Sequence, residues 1–495
     1  MGLGNGDQIL GRTRLQGALY DRGEGPRGHS GDVRHHSRDD LRHCVLSRPV
    51  SPSKMLTRVA TPVLAVAVMA SAPVVGHWQQ PRFSSADTAL RVRRWLDPAS
   101  GQFHGPSAIV VSGTRIKHIV PLADFDQRST KALIDLGAAT VLPGLIDAHV
   151  HLTIGGTSRA NAAAILRAGF TTVADLGATS DAVIRLRDAI ASGDAEGPRI
   201  LAAGLWVGTK NGICEFGGIG VDGGPKQFRA RVRENVASGA DLTKVCVSGW
   251  TRDAFAHPDA YEISDAALAA VVDESRRRGH VVLAHAISLG SVQAALRAGV
   301  DGLAHAAYLD AATATVLRDK GVFLVPTLAS LLRGTQGRAG VALQESVAEA
   351  HRAGVRLIFG TDGGVLPHGE NAVEFAALIE AGVPAIDAIR AATVDAADAL
   401  GLATEIGTID IGKTADLIAV DGDPLHDPTA LSRVTFVMQS GHVARHERSA
   451  ASARRPTIVR GRARSPNAPW CAIHGLAEAA LPSNRVPRTF PRAVR

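Results

Sequence analysis

Short apolar runs alternate with amphipathic segments through the middle of the chain. From Leu145 to about Leu402, runs typical of strands are separated by stretches with helical spacing of apolar residues. The eight apolar runs read LIDAHVH, TTVADL, RILAAGLW, LTKVCVS, VVLAH, GLAH, VFLVP and VRLIFGTD. Eight strand–helix repeats with right-handed crossovers predict an α/β fold, a (β/α)8 TIM barrel over residues 143–402.

Both flanks of this region have a β-like pattern. ALRVRRW and SAIVVSGTRIKHIVPL precede it, and GTIDIGKTADLIAVDGDP and RVTFVMQSGHVAR follow it. Gly113-Thr114, between two apolar runs, is typical of a hairpin turn. The pattern predicts one small β-sandwich domain formed from both flanks of the barrel, residues 87–142 and 403–445.

The first part of the chain has a different texture. Residues 1–54 are rich in Gly, Arg, His and Asp without periodicity, which predicts disorder. Residues 55–75 contain one Arg, a short apolar run and Ala70-Ser71-Ala72, the order of a secretory signal peptide. The run is short for a membrane span, so no stable membrane insertion is expected, and a buried helix or strand is the alternative. If Met55 is the true start, residues 1–54 are an over-extended reading frame and the protein is secreted or periplasmic; otherwise it is cytoplasmic.

Charge is unevenly distributed. The chain of 495 residues carries a formal net charge of +7, but Arg445 to Arg495 contain 11 Arg and 2 Glu, or +9, which leaves 7 − 9 = −2 elsewhere. Residues 446–495 are therefore predicted to be a basic disordered tail, and the body gives no reason to expect nucleic-acid binding. The four cysteines match no zinc ribbon or CxxC motif, so no disulfide framework is expected, and Cys246 is predicted to pack as a small residue.

Polar residues stand at the ends of several predicted strands. The first strand ends in His149 and His151, which share a face because residues two apart in a strand point the same way. By itself this pair fits two packed core histidines as well as a metal site. The others are Lys244 on the fourth strand, His285 on the fifth, His305 on the sixth and Asp362 on the eighth. Because strand ends meet at the mouth of a barrel, all six are expected to converge.

This set of side chains suits one or two divalent metal ions. Imidazole and carboxylate favour Zn²⁺, Fe²⁺, Co²⁺ or Mn²⁺. An ammonium group on Lys244 would repel such ions. The lysine fits if its amine carries CO2 as an anionic carbamate, which can bridge two metals about 3.5–4 Å apart.

The chain resembles the amidohydrolase superfamily. The similar motifs are PGLIDAHVH, TKVCVSGW, LAHAISLGSVQAALRAGVDGLAHA, FGTDGG and GTIDIGKTADLIAVDGDP, and the match covers approximately Ala89 to Arg445. PHGENAVEFAALIEAG adds a likeness to Xaa-Pro dipeptidases and imidazolonepropionase-like proteins. The resemblance implies a metal-dependent hydrolase with two divalent ions, zinc being expected, and a CO2-derived carbamate on Lys244.

The resemblance also implies a role for each residue. His149, His151 and Asp362 would hold the more buried metal, His285 and His305 the more exposed one, and Lys244 would bridge them. Asp362 would take a proton from the attacking hydroxide and pass it to the leaving amine. His285 and His305 would act in catalysis with Asp362, because the metal they hold would polarise the substrate carbonyl. Some superfamily members use one metal, which leaves Lys244 open to another role.

Two residues are candidates for binding substrate. His368 follows the eighth strand by a short loop, and Tyr261 follows the fourth-strand loop, where it could bond a substrate carboxylate. Surface packing is the alternative for Tyr261. The segment after the third strand, GTKNGICEFGGIGVDGG, contains no His, whereas dipeptidase-like relatives tend to carry Gly-Gly-His-Gly there. Loops at a barrel mouth set specificity, so this departure bears on the substrate.

These observations predict a binuclear metal hydrolase that cleaves an amide bond in a small molecule, such as a dipeptide or N-acyl amino acid. One alternative is a cyclic amide or lactone hydrolase with imidazolonepropionase-like chemistry. Another is a non-catalytic barrel that binds a partner through the basic tail. A homo-oligomer is compatible with the sequence.

Overall fold

A computed structural model describes residues 87–249, 251–335 and 337–447. The predicted extension at 1–54, the predicted signal peptide at 55–75 and all but the first two residues of the predicted tail lie outside them.

Seven strands come before the α/β region. They are β1 (Thr88–Val92), β2 (Arg94–Asp97), β3 (Gln102–His104), β4 (Ser107–Ser112), β5 (Arg115–Pro121), β6 (Ala132–Asp135) and β7 (Thr140–Pro143). Gly113 and Thr114 connect β4 to β5, which pair antiparallel as the sequence predicts. Short 3₁₀ turns lie at Leu122–Asp124 and Gln127–Ser129.

The middle of the chain alternates strands with helices. The strands are β8 (Leu145–Val150), β9 (Phe170–Asp175), β10 (Arg199–Ala202), β11 (Thr243–Cys246), β12 (Val282–Ala286), β13 (Gly302–His305) and β14 (Phe323–Val325). The helices are α1 (Ser158–Arg167), α2 (Ala182–Ala191), α3 (Pro225–Ala237), α4 (Thr251–Ala256), α5 (Asp265–Arg276), α6 (Leu289–Ala298), α7 (Ala311–Lys320), α8 (Leu328–Gly334) and α9 (Gly337–Arg352).

The last part of the described chain adds three helices and three strands. They are α10 (Val373–Glu380), α11 (Ala385–Ala391), α12 (Val394–Ala399), β15 (Leu417–Val420), β16 (Val434–Gln439) and β17 (His442–His446), with a 3₁₀ turn at Pro428–Ser432. No described helix combines the length and the apolar character needed to cross a membrane.

Local sequence explains where several helices begin and end. Ser264, Ser288 and Asp310 precede α5, α6 and α7, and each side chain accepts a hydrogen bond from the backbone N–H three residues on. Helices α6 and α7 end at Gly299 and Gly321, both in the left-handed conformation that glycine adopts without a steric penalty. These caps fix the short loops that join helices to strands.

Two antiparallel-rich sheets are built from the flanks. One has the strand order β5-β4-β1-β6, and the other has the order β17-β16-β15-β7-β2-β3. Strand β7 pairs parallel with β2 and antiparallel with β15, so the second sheet joins the two ends of the described chain. One cluster of buried side chains contains Leu90 and Ile109 from the first sheet and Val141, Leu417 and Phe436 from the second. The sheets therefore share an apolar core.

The α/β region contains two parallel sheets, ordered β10-β9-β8 and β11-β12-β13-β14. A bridge between Val207 and Val245 links the first sheet to the second. The predicted α/β fold is confirmed, but the strands of the described residues do not form a continuous closed ring of ladders.

The interruption lies at the predicted eighth strand, VRLIFGTD. This segment makes isolated bridges, Leu324 to Leu357 on one side and Val150 to Gly363 on the other. Two of its backbone N–H groups do not bond to a neighbouring strand: Phe359 N donates to Ala391 O, and Thr361 N donates to the Asp147 carboxylate. Asp362 has a left-handed φ of 55°, which is incompatible with a regular strand. The segment thus lies beside β8 and β14 without extending either sheet regularly.

Candidate metal centre

His149 and His151, at the end of β8, face the carboxylate of Asp362. His149 Nε2 lies 3.3 Å and His151 Nε2 lies 3.2 Å from Asp362 Oδ1. One ligand atom from each of the three residues falls within 4.8 Å of the others. Both histidines are buried. The spacing of the pair in the sequence therefore brings two imidazoles and one carboxylate to a single point.

Lys244 on β11 reaches the same point from across the fold. Its side chain is buried, and Nζ lies 3.4 Å from His149 Nε2. Burial lowers the pKa of Lys244 to about 7 from 10.5, because the ammonium form loses its hydration. A large fraction of Lys244 is therefore the neutral amine near pH 7.

His285 and His305 complete the group from the ends of β12 and β13. Their ring centroids are 4.6 Å apart, and the ring of His305 is 5.1 Å from that of His149. Burial lowers the pKa of His285 to about 3 and holds that of His305 well below its usual value. Neutral imidazole is the form that binds metal ions. The structure thus brings together all six residues that the sequence predicts to converge.

Hydrogen bonds orient three of the imidazoles. His151 Nδ1 donates to Gly177 O at 3.1 Å, His305 Nδ1 pairs with Thr327 Oγ1 at 2.7 Å, and His285 Nε2 lies 3.5 Å from Gly249 O. In each ring the other nitrogen is left for a metal ion. Such outer hydrogen bonds fix the tautomer and the ring direction of a ligating histidine.

Electrostatic interactions within the group oppose the effect of burial on the pKa values of Asp362 and His151. Burial raises the pKa of Asp362, but the imidazoles of His149, His151 and His305 outweigh it and hold this pKa well below its usual value. Burial lowers the pKa of His151, and the carboxylates of Asp362 and Asp175 reverse that effect and raise it. Asp362 is therefore an ionised carboxylate at neutral pH.

Asp147 ties β8 to the segment that carries Asp362. Its Oδ1 accepts from His149 N and Thr361 N, both at 3.1 Å, and its Oδ2 accepts from Thr361 Oγ1 at 2.6 Å and Asn371 Nδ2 at 2.7 Å. Burial raises its pKa to about 6, against the effect of these bonds. Sequence reasoning missed this residue, although an acid between Ile146 and Ala148 in an otherwise apolar strand is a usable signal.

Asp175, at the end of β9, supports His151 in a similar way. Its carboxylate accepts from Leu152 N at 2.7 Å and from Gly177 N at 3.1 Å. The carbonyl of Gly177 accepts the Nδ1–H of His151. Burial raises the pKa of Asp175 to about 6. Sequence reasoning also missed this residue, which the apolar run TTVADL places at a strand end.

Glu374 on α10 holds the start of α8. The carboxylate is fully buried and accepts from Leu328 N at 2.8 Å and Ala329 N at 2.7 Å. The residue before them, Thr327, has a left-handed φ of 49°, and its hydroxyl contacts His305. Glu374 therefore acts on the position of His305 through the backbone of one helix.

The two predicted substrate residues occupy different positions. His368 Nε2 donates to Ile154 O at 3.0 Å, and its ring lies beside Gly363, close to Asp362 in the chain. Tyr261 is 38% exposed, and its hydroxyl donates to Asp265 Oδ1 at 2.9 Å, at the beginning of α5. The surface packing considered for Tyr261 therefore matches its position, while His368 lies near the six converging residues.

The prediction for the cysteines is wrong. Cys214 and Cys246 form a disulfide, with a Cα–Cα distance of 6.3 Å and a sequence separation of 32 residues. The segment after β10 runs parallel to β11 at the bridge between Val207 and Val245, and the loop that follows brings Cys214 beside the strand that carries Lys244. No spacing rule for a motif could reveal a pairing that depends on how a loop passes beside a strand.

The chain is similar to known metal-dependent hydrolases over most of the described residues. The model of the amidohydrolase family matches residues 140–444. Ochratoxinase from Aspergillus niger is 27% identical over 410 residues, covering 70% of this chain and 84% of that protein.

Solved structures give the same result. A Xaa-Pro dipeptidase with methionine in its active site has a TM-score of 0.68 at 30% identity, over 72% of this chain and 99% of that one. A prolidase in complex with N-methylphosphonate-L-proline has a TM-score of 0.64 at 28% identity, over 73% of this chain and 100% of that one. The resemblance seen in the sequence motifs is confirmed: the chain belongs to the amidohydrolase family and is a hydrolytic enzyme.

Proposed function

We propose that the protein is a binuclear metal-dependent hydrolase that cleaves an amide, peptide-like bond of a small substrate. The observation that supports this most strongly is the convergence of four imidazoles, one carboxylate and one buried lysine on a single point. Within the group, Asp362 Oδ1 lies 3.3 Å from His149 Nε2 and 3.2 Å from His151 Nε2. Lys244 Nζ lies 3.4 Å from His149 Nε2.

The donors fit divalent metal ions such as zinc. His149, His151 and Asp362 would hold one ion, and His285 and His305 the second. His151 Nδ1 and His305 Nδ1 already have hydrogen-bond partners, and His149 Nδ1 lies on the ring edge away from the shared point, because His149 Nε2 faces Asp362. The Nε2 atoms of these three rings are therefore available to metal. When bound, the ions would polarise a carbonyl and lower the pKa of a water molecule.

Lys244 would bridge the two ions as a carbamate. A neutral amine attacks the carbon of CO2 and loses one proton, which leaves a carboxylate-like anion on Nζ. The buried amine, whose pKa is lowered to about 7, is suited to this reaction near neutral pH. The anion would also remove the cost of placing an ammonium group beside metal ions.

Asp362 would move the proton during hydrolysis. It is ionised, and its Oδ1 lies at the centre of the group, so it could accept a proton from the attacking water and donate it to the leaving amine. His368, near Asp362, is proposed to contact the substrate. Tyr261 would do so only if its bond to Asp265 were exchanged for one to the substrate.

The substrate is proposed to be a dipeptide or an N-acyl amino acid. The names of the relatives support an amide: Xaa-Pro dipeptidase, prolidase and ochratoxinase. The loop after β10 departs from the dipeptidase-like pattern, so acyl amino acids belong in the test beside dipeptides.

Two features of the architecture are proposed with the function. The parallel sheets and the segment carrying Asp362 would be parts of one barrel, which the bridges Val207–Val245, Leu324–Leu357 and Val150–Gly363 support. The two flank sheets would be the layers of one sandwich, which their shared apolar core supports.

We also propose export from the cytoplasm, since a disulfide favours an oxidising compartment. Sequencing the N-terminus of the native protein would test that proposal.

Metal content and hydrolysis test the function together. The full chain, produced with zinc and bicarbonate, would be analysed for metal per chain and assayed against dipeptides, N-acyl amino acids, a cyclic amide and a lactone. Two ions and amide hydrolysis that a chelator abolishes are expected. Absence of bound metal, or hydrolysis of the lactone alone, would contradict the proposal.

A further inference from the structure

Trp206 connects the metal centre to the loop that follows β10. Its ring centroid lies 5.4 Å from that of His151. The indole packs over Gly177, where a side chain would overlap the ring. Gly177 is also the residue whose carbonyl accepts the Nδ1–H of His151. An aromatic surface therefore begins directly beside a predicted metal ligand.

Phe216 continues this surface outwards. Its ring centroid is 4.9 Å from that of Trp206, and the two rings are tilted by 53°. Trp206 is buried, whereas Phe216 is 41% exposed. Leaving a phenyl ring in water forgoes favourable burial, and a planar apolar group beside it would recover part of that free energy.

The loop that carries the pair is held in place at several points. The Cys214–Cys246 disulfide fixes it to β11, and Ile213 N donates to Glu262 Oε2 at 2.8 Å. Arg231 Nη1 donates to Trp206 O at 3.1 Å and to Ile219 O at 2.7 Å. A surface fixed before the ligand arrives binds it with a smaller loss of conformational entropy.

We propose that Trp206 and Phe216 form an aromatic wall that receives one substituent of the amide, so that the enzyme prefers substrates with a planar aromatic group. This inference rests on the proposed function for the position of the scissile bond. An aromatic group attached to an amide at the metal centre would extend past His151 along Trp206 to Phe216. The wall thus names a substrate class within the amides: N-aroyl amino acids, or acyl amino acids with an aromatic side chain.

A second exposed aromatic residue provides a matched control. Phe255 is 51% exposed and its ring centroid lies 5.3 Å from that of Tyr308, so it also belongs to an aromatic pair. Phe255 belongs to α4, in the connection after β11 and not in the loop after β10, and its ring partner Tyr308 is not a predicted metal ligand. Phe216→Ala and Phe255→Ala therefore remove the same atoms from two comparable pairs.

Equilibrium binding tests the wall without turnover. Benzohydroxamate and acetohydroxamate share a metal-binding group and differ in the ring, and calorimetry would measure their affinities for the zinc-loaded full chain. Wild type and Phe255→Ala are expected to bind benzohydroxamate roughly tenfold more tightly than acetohydroxamate, and Phe216→Ala about equally. Equal or undetectable binding of both compounds by wild type, or an unchanged preference in Phe216→Ala, would overturn the wall.

Kinetic measurements then distinguish failure of the aromatic wall from failure of the proposed amide hydrolysis. N-acetyl-alanine, N-benzoyl-alanine and N-acetyl-phenylalanine would be compared by kcat/KM. A preference for one aromatic compound that disappears in Phe216→Ala supports the wall. Hydrolysis of all three at similar rates overturns the wall and leaves the amide hydrolase intact. Tighter binding of benzohydroxamate without hydrolysis of any amide would support the wall and count against the proposed function.

Discussion

Lys244 is the residue on which the proposed number of metal ions depends. Lys244→Ala is expected to lose metal and activity together, because the proposed carbamate on Lys244 is the anion that would be shared by the two metal ions. Activity should fall at least about 100-fold, in the range seen when a metal environment is disrupted. Lys244→Arg is the stricter variant, since it keeps the cation and cannot form a carbamate.

Elemental analysis and kcat/KM measured on the same samples check this prediction. Wild-type metal content and activity in Lys244→Ala would eliminate the bridging role. Two ions in Lys244→Arg would show that a cation is tolerated at this position and that the carbamate is unnecessary.

Asp362 is expected to matter more for turnover than for metal content. In Asp362→Asn the amide oxygen can still face His149 and His151, so part of the metal should remain. The variant has lost the proton acceptor, and kcat should fall by about 10²–10⁴-fold. Metal analysis with kcat measured at saturating substrate separates the two effects. Full turnover in this variant would contradict the proposed proton transfer.

Helix α8 shows how one buried acid, Glu374, can position a proposed metal ligand, His305, through the backbone of a helix. Glu374→Gln leaves a single oxygen for the N–H groups of Leu328 and Ala329. One buried donor then loses its partner, which should lower the free energy of unfolding at pH 5 by about 1–3 kcal/mol. Because Thr327 begins this helix and contacts His305, the variant should also weaken metal retention. Glu380 is the exposed last residue of α10, the helix that carries Glu374, so Glu380→Gln is the matched control and should behave as wild type.

The titration of Glu374 gives a separate, signed prediction. Burial raises its pKa to about 8 from 4.5. Between these values the folded protein retains a proton that the unfolded chain has released, so stability falls as pH rises, by up to about 1.4 kcal/mol per pH unit. Metal-free wild type should therefore lose stability relative to Glu374→Gln between pH 5 and 8. Urea unfolding at three pH values would measure the difference, and a constant difference would contradict a raised pKa.

The disulfide fixes the loop after β10 to β11, and its contribution should appear in unfolding experiments. Closing a loop of 32 residues corresponds to about 3–4 kcal/mol in the chain-entropy description. Cys214→Ala, Cys246→Ala and the double variant should lose similar amounts of unfolding free energy, because removing either sulfur breaks the same bond. A reductant should destabilise wild type alone. Additive losses in the double variant would instead indicate that the two side chains stabilise the fold by packing.

At the scale of the whole molecule, strand ends were the most predictable feature. An apolar run indicates both a strand and the residues near its end. The structure has His149, His151, His285 and His305 at or next to the ends of their strands and Lys244 within β11. Seven of the eight predicted strands form as β8 to β14. The eighth does not, because the left-handed Asp362 interrupts its pairing, and an apolar run carries no information about φ.

Long-range partners were the least predictable feature. Asp147, Asp175 and Glu374 appear as ordinary acids in the sequence, and only the fold shows that they are buried with several N–H partners each. Cys214 and Cys246 meet because the loop after β10 passes beside β11. Tyr261 has the chemistry to bind a carboxylate, but Asp265, four residues further along the chain, accepts the hydrogen bond of its hydroxyl.

The joining of both flanks in one sheet leads to a prediction about truncation. All six converging residues and both flank sheets lie within residues 87–447, so a chain ending at Glu447 should keep metal and hydrolysis. A chain ending at Arg433 loses β16 and β17. It uncovers β15 and removes the fully buried Phe436 and Met438 from the core shared by the sheets, at about 2–5 kcal/mol for each large side chain. Such a loss approaches the whole stability of a typical domain, so little soluble protein is expected. Soluble yield, circular dichroism and metal content would distinguish the two chains. If the chain ending at Glu447 kept its metal but lost the biological function of the full-length chain, that function would depend on the basic tail and not on hydrolysis.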